Sequence, residues 1–97
     1  MSRIVEGFKN QVWIIREMKG NAVIREFKRP VQQANENDII ILIETLARNH
    51  LTAEEAERSP DLWRHHKDSG GNRLIFSAGQ NPHYVAAMYR SDEIQDR

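Results

Sequence analysis

DLWRHHKDSGGNRLIFSAGQNPHYVAAMYR, residues 61–90, sets short apolar runs between clusters of turn residues. From Pro60 onward the apolar period is two. Leu62-Trp63-Arg64-His65-His66 reads as a strand, Ser69-Gly70-Gly71-Asn72 as a turn and Arg73-Leu74-Ile75-Phe76-Ser77-Ala78 as a second strand. Gly79-Gln80-Asn81-Pro82 turns again, and His83-Tyr84-Val85-Ala86-Ala87-Met88-Tyr89 makes a third strand. Three strands on short turns make an antiparallel meander, which needs something apolar on one face.

That something lies upstream. Ile39, Leu42, Ile43 and Leu46 recur at i, i+3, i+4 and i+7 behind Asn35-Glu36-Asn37-Asp38, whose side-chain oxygens suit a helix start, so a helix is expected over 38–48. The competing reading, a buried strand over Ile39–Ile43, is disfavoured by the cap and by the length to Arg48. Thr52-Ala53-Glu54-Glu55 has the form of a capping box for one or two further turns, stopped by Ser59-Pro60. Val12-Trp13-Ile14-Ile15 is a short β-branched and aromatic run, read as a buried strand over roughly 11–18 and broken at Lys19-Gly20-Asn21. The next stretch is ambiguous. Val23, Phe27, Val31 and Ala34 fall at helical spacing, while Val23 to Phe27 reads equally as the return arm of a hairpin turning at Gly20-Asn21; the helix is the reading taken here. The fold expected is α+β, a small antiparallel sheet of the N-terminal strand and the C-terminal meander packed on one or two helices. It forms a single domain over 1–97, with 1–10 and 91–97 expected to fray.

Composition bounds the chemistry. The 97 residues include no cysteine, which excludes a disulfide scaffold, a thiol nucleophile and Cys-ligated metal. No apolar run reaches the roughly 18 residues of a membrane span, and MSRIVEGFKNQ lacks a signal-peptide core, so the expected location is the cytoplasm, with no membrane partner. Fourteen basic and fourteen acidic residues cancel, but unevenly. Residues 1–33 hold seven basic and three acidic (+4), 34–61 two and seven (−5), and 62–97 five and four (+1). Within 62–90, Arg64, Lys67, Arg73 and Arg90 stand against Asp68 alone, a +3 stretch suited to a polyanion.

The segment from Asp68 through Gly70-Gly71-Asn72-Arg73 to Phe76, with Tyr84 to Ile94, resembles the C-terminal half of the RelE/HigB superfamily of toxin–antitoxin toxins. The shared pattern is a Gly-Gly-x-Arg opening, an apolar strand, a short turn, a second apolar strand ending in an aromatic, and an acid-containing exit. It covers roughly residues 62–94; upstream only the order of elements agrees. The resemblance implies a RelE-like fold of one strand, two helices and then a three- or four-stranded sheet. It implies a metal-independent, ribosome-dependent mRNA endonuclease without a cofactor, with mRNA and ribosome as partners and a cognate antitoxin as inhibitor. The ParE branch of the same superfamily instead inhibits gyrase.

Such cleavage needs a base for the RNA 2′-hydroxyl, a cation for the phosphorane-like charge and an acid for the leaving oxygen. Arg73 is the expected charge clamp, with Lys67 and Arg64 adding positive potential. His65 or His66 is the expected acid/base; neighbours on a strand point to opposite faces, so only one can face a site. Tyr89 and Arg90 stand where such toxins often keep a functional aromatic or basic residue, and Trp63 or Tyr84 offers a ring for an unpaired base. Plainer roles exist for each: Arg73 as a surface cation or partner of Asp68, one histidine packed and one solvated, the aromatics as core or rim, and Gly70-Gly71 as a simple turn. The histidine pair makes a poor metal site for the same reason of opposite faces, and no metal is expected. A different class of function, a non-catalytic module that docks a protein through the acidic 34–61 segment or an exposed sheet edge, fits the same residues.

Overall fold

A computed structural model describes residues 11–68, 73–80 and 82–90. The expected fraying of 1–10 and 91–97, the turn at 69–72 and Asn81 lie outside these residues. The chain is α+β: strands β1 (Gln11–Lys19) and β2 (Ala22–Pro30), a 3-10 turn at Val31–Gln33, helices α1 (Glu36–Arg48) and α2 (Ala53–Arg58), a second 3-10 turn at Pro60–Leu62, then β3 (His65–Asp68), β4 (Ile75–Gly79) and β5 (His83–Arg90). All five strands join one antiparallel sheet in the order β2-β1-β5-β4-β3.

The expected strand at 11–18, the helix from the Asn35 cap and the two C-terminal strands stand in place. Asn35 accepts from the Asp38 N–H and the Asp38 carboxylate accepts from the Asn35 N–H, a reciprocal cap of the kind that contributes about 1 kcal/mol. Thr52 and Glu55 repeat the device at α2. Helix α1 buries Ile39, Ile43 and Ala47 against the sheet face carrying Trp13, Ile15, Phe76, Ala78, Tyr84 and Ala86. The Trp13 indole N–H donates to the Ala34 carbonyl at 2.8 Å, which anchors the crossover from sheet to helix. Gly79, at φ 92°, lets β4 end against the helix, where a Cβ would meet Pro82 O at 2.9 Å and Ala47 Cβ at 3.2 Å.

Three expectations need correction. The stretch after Asn21 is strand, not helix: Gly20, at φ 62°, turns the chain, and β2 runs back along β1 from Lys19↔Ala22 to Val12↔Pro30. Strand β1 sits in the sheet interior with buried side chains, and its backbone needs a ladder on both sides; β5 supplies one and β2 the other. Of the helical-looking quartet only Phe27, Val31 and Ala34 reach the core, while Val23 lies exposed. The strand expected from Leu62 starts only at His65, because Pro60–Leu62 forms a 3-10 turn and Trp63 caps it. Likewise Arg73 precedes β4 instead of opening it.

Candidate functional site

Residues paired across an antiparallel ladder share a face, so the register sorts the candidate side chains. His65 pairs with Ala78 and Lys67 with Phe76, which places both on the face that carries α1. His66 pairs with Ser77, and so lies on the opposite face together with Val85 and Arg16. Tyr89, paired with Val12, shares that far face, whereas Arg90, exposed at the end of β5, falls on the α1 side opposite Gln11. Exposed Arg64 immediately precedes β3.

On the α1 side a compact constellation forms at the edge of the sheet. The Glu44 carboxylate approaches His65 twice through one oxygen: the backbone N–H donates to Oε2 at 3.0 Å, and ring Nδ1 lies 2.7 Å from the same atom. A carboxylate oxygen accepts here, so Nδ1 is the donor of this contact and Nε2 is the ring nitrogen left for another partner. The Phe76 ring meets the imidazole edge-on at 5.9 Å, which fixes its plane. The His65 side chain remains 36% exposed. One helical turn beyond Glu44, the Arg48 guanidinium lies 4.6 Å from the Trp63 ring centre, and the Trp63 indole donates to Ala56 O at 2.7 Å. Arg48 also borders a recess of about 360 Å³ between α1 and α2, lined by Thr45, Asn49, Leu51, Thr52 and Ala56.

On the far face Arg73 donates to Met88 O at 2.9 Å and its guanidinium lies 3.9 Å from the Tyr89 ring centre. Arg16 bonds Glu26 at 2.8 Å; that hydrogen bond, chiefly, and the neighbouring Tyr89 hydroxyl hold its guanidinium firmly in the charged form. Tyr89 thus stands between two arginines. His66 and Arg73 share this face but lie about four residues apart along the sheet, some 13 Å by strand rise, so they do not converge on one phosphate.

Tyr84, expected as a stacking ring, is a core residue only 1% exposed, with its hydroxyl 2.7 Å from His50 Nε2. Burial first, then the charge of Glu17, pushes its phenol above the ordinary tyrosine value. Two side chains of this constellation escaped the sequence reading, Glu44 and Arg48. The signal for Glu44 was there: one carboxylate set in the apolar run Ile39–Ala47, within reach of whatever packs beside that helix. Among the described residues no three His, Asp or Glu side chains gather as a metal set, and no helix is long and apolar enough to cross a bilayer. Comparison with protein-family models, curated proteins and solved structures returned no match to this chain.

Proposed function

We propose that this chain is a RelE/HigB-like toxin, a ribosome-dependent endoribonuclease neutralised by a protein antitoxin, with His65 as its acid/base. The observation that carries the reading is the His65–Glu44 pair, a half-exposed imidazole aimed by a carboxylate, with Lys67 on the same face and Arg48 one turn away. In this mechanism Nε2 of His65 takes the proton of an RNA 2′-hydroxyl as its oxygen bonds the adjacent phosphorus. Glu44 then stabilises the imidazolium. Lys67 and Arg64 offset the charge growing on the phosphate oxygens, and the P–O5′ bond breaks as the leaving oxygen gains a proton from the Lys67 ammonium. The products are a 2′,3′-cyclic phosphate and a 5′-hydroxyl, with no metal in any step. Trp63, its indole held by Ala56 O and its ring faced by Arg48, supplies a stacking surface beside the site. Arg73 and Tyr89 on the far face, with Arg90 at the strand end, serve to dock ribosomal RNA rather than to cut.

The test is controlled induction in bacterial cells. The reading expects growth arrest with cleavage of translated messages, relieved by Glu44→Gln; growth and translation unaffected by the wild-type protein would overturn it. DNA-damage signalling with intact messages would select the gyrase-inhibiting branch instead. A second reading, a non-catalytic protein-binding module, is favoured by one observation, the exposed basic edge of the sheet at β2.

A further inference from the structure

The sheet ends at two unlike edges. Strand β3 is four residues long and is tied to α1 through His65 and Glu44. Strand β2 is nine residues long, about 30 Å, pairs among the described residues only with β1, and is exposed at every position but Phe27 and Pro30. Its outer backbone donors and acceptors form a ready template for another strand. Charged residues are the usual guard on such an edge, and β2 has them. It also has two half-exposed apolar side chains beside those charges, Val23 at 51% and Ile24 at 48%, and proline only at its last position.

We propose that the outer edge of β2 is a docking site for an extended acidic segment of a partner protein, which adds to the sheet as a sixth strand. The inference stands whether or not the chain cleaves RNA. Charge selects the occupant. Arg25, Lys28 and Arg29 against Glu26 leave β2 at +2. Glu26 is matched by Arg16 and Arg25 by Glu17, both on β1, whereas Lys28 and Arg29 have no carboxylate partner among the described residues. Arg29 instead lies over the Phe27 ring at 5.1 Å and donates to the Lys28 carbonyl. The excess charge is therefore Lys28 and Arg29, on successive residues that point to opposite faces, so a carboxylate above and another below an incoming strand would both be met.

A second copy of this chain fits poorly. Antiparallel pairing of β2 with itself sets one residue opposite its own copy. Centred on Arg25 or Glu26 that opposes like charges directly; centred on Phe27 it sets Arg25 against Arg29 although Glu26 meets Lys28; and centred on Ile24 it avoids like charges but pairs only Ala22–Glu26 and leaves Lys28 and Arg29 unmatched. An acidic strand meets none of these repulsions. The backbone ladder supplies affinity and the alternate side chains supply specificity.

The experiment titrates the isotopically labelled full chain with the acetylated, amidated peptide Glu-Val-Glu-Thr-Val-Asp-Ile-Glu and follows backbone amides by NMR. Shift changes confined to β2 and its neighbour β1, slower exchange of alternate β2 amides, and affinity that falls with added salt are expected. The double variant Lys28→Glu/Arg29→Glu, with unchanged far-UV circular dichroism, is expected to bind at least tenfold more weakly. Shifts centred on β3, equal binding of the same peptide with lysine at every acidic position, or no shift at millimolar peptide would each overturn the proposal. So would dimerisation of the chain alone through β2, which would give the edge to a second copy.

Discussion

On the α1 side of the sheet, Trp13, Ile15, Phe76 and Tyr84 close into the core, and three polar groups beside them are paired: the Trp13 indole with Ala34, the Tyr84 hydroxyl with His50, and His65 with Glu44. On the far side the same strands present Arg16, Lys28, His66, Arg73 and Tyr89, where cations meet an aromatic ring and, at Arg16, a carboxylate. Packing on the covered face holds an imidazole in one orientation, as catalysis requires, while the far face, where Ile14 and Ala87 are the buried residues among those described, offers charge and reach without a fixed acid/base.

Four substitutions set the faces against each other. The largest effect is expected at Phe76. Phe76→Ala opens the core and removes the ring that flanks His65, and chemical denaturation should show a loss of about 3–5 kcal/mol; Val85→Ala, from the opposite face of the neighbouring strand, should cost about 1 kcal/mol or less. Equal losses would mean that the far face is also packed as core.

A smaller effect is expected at Tyr84, where the covered face should reveal itself in alkaline solution. Burial, with Glu17 adding to it, holds the Tyr84 phenol above its ordinary value, so the folded chain keeps that proton to higher pH than the unfolded chain does. Its contribution to stability is whole below about pH 10 and is lost as pH rises through the folded value. Tyr84→Phe should cost about 1 kcal/mol near neutrality, through the lost bond to His50, and should flatten the alkaline fall in unfolding midpoint. An unchanged alkaline limb would contradict it.

The smallest stability effect is expected on the far face. Arg73→Ala removes the contact over Tyr89 and the hydrogen bond to Met88 O, and should cost about 1 kcal/mol or less in the same denaturation assay. Under the proposed function it also weakens ribosome binding, read as a raised Kd, without changing the cleavage rate at saturation. A slower rate at saturation would move Arg73 into the chemistry.

The meander, β1 and both capped helices were legible because each carries local punctuation: Gly79 and Pro82 around the last turn, Asn35 and Thr52 at the helix starts, Gly20-Asn21 after β1. Strand β2 was not. Val23 and Ile24 are apolar yet exposed while Phe27 reaches the core, so neither a period of two nor one of 3.6 stands out, and the hydrogen bonds that β1 needs are a tertiary demand without a local signature. At the site, alternation along a strand foretold that His65 and His66 would part company. It left open which of them would be held. That depended on Glu44, 21 residues away in sequence and brought alongside only by the packing of α1 on the sheet.

If the covered face carries the acid/base, the adjacent histidines on opposite faces are each other's control. Purified protein is added to programmed ribosomes, and cleavage of the A-site codon is read by primer extension for His65→Ala and His66→Ala side by side. The account predicts a loss of roughly a hundredfold or more for His65→Ala and a change within about threefold for His66→Ala. Cleavage that survives His65→Ala but is abolished by His66→Ala would contradict it.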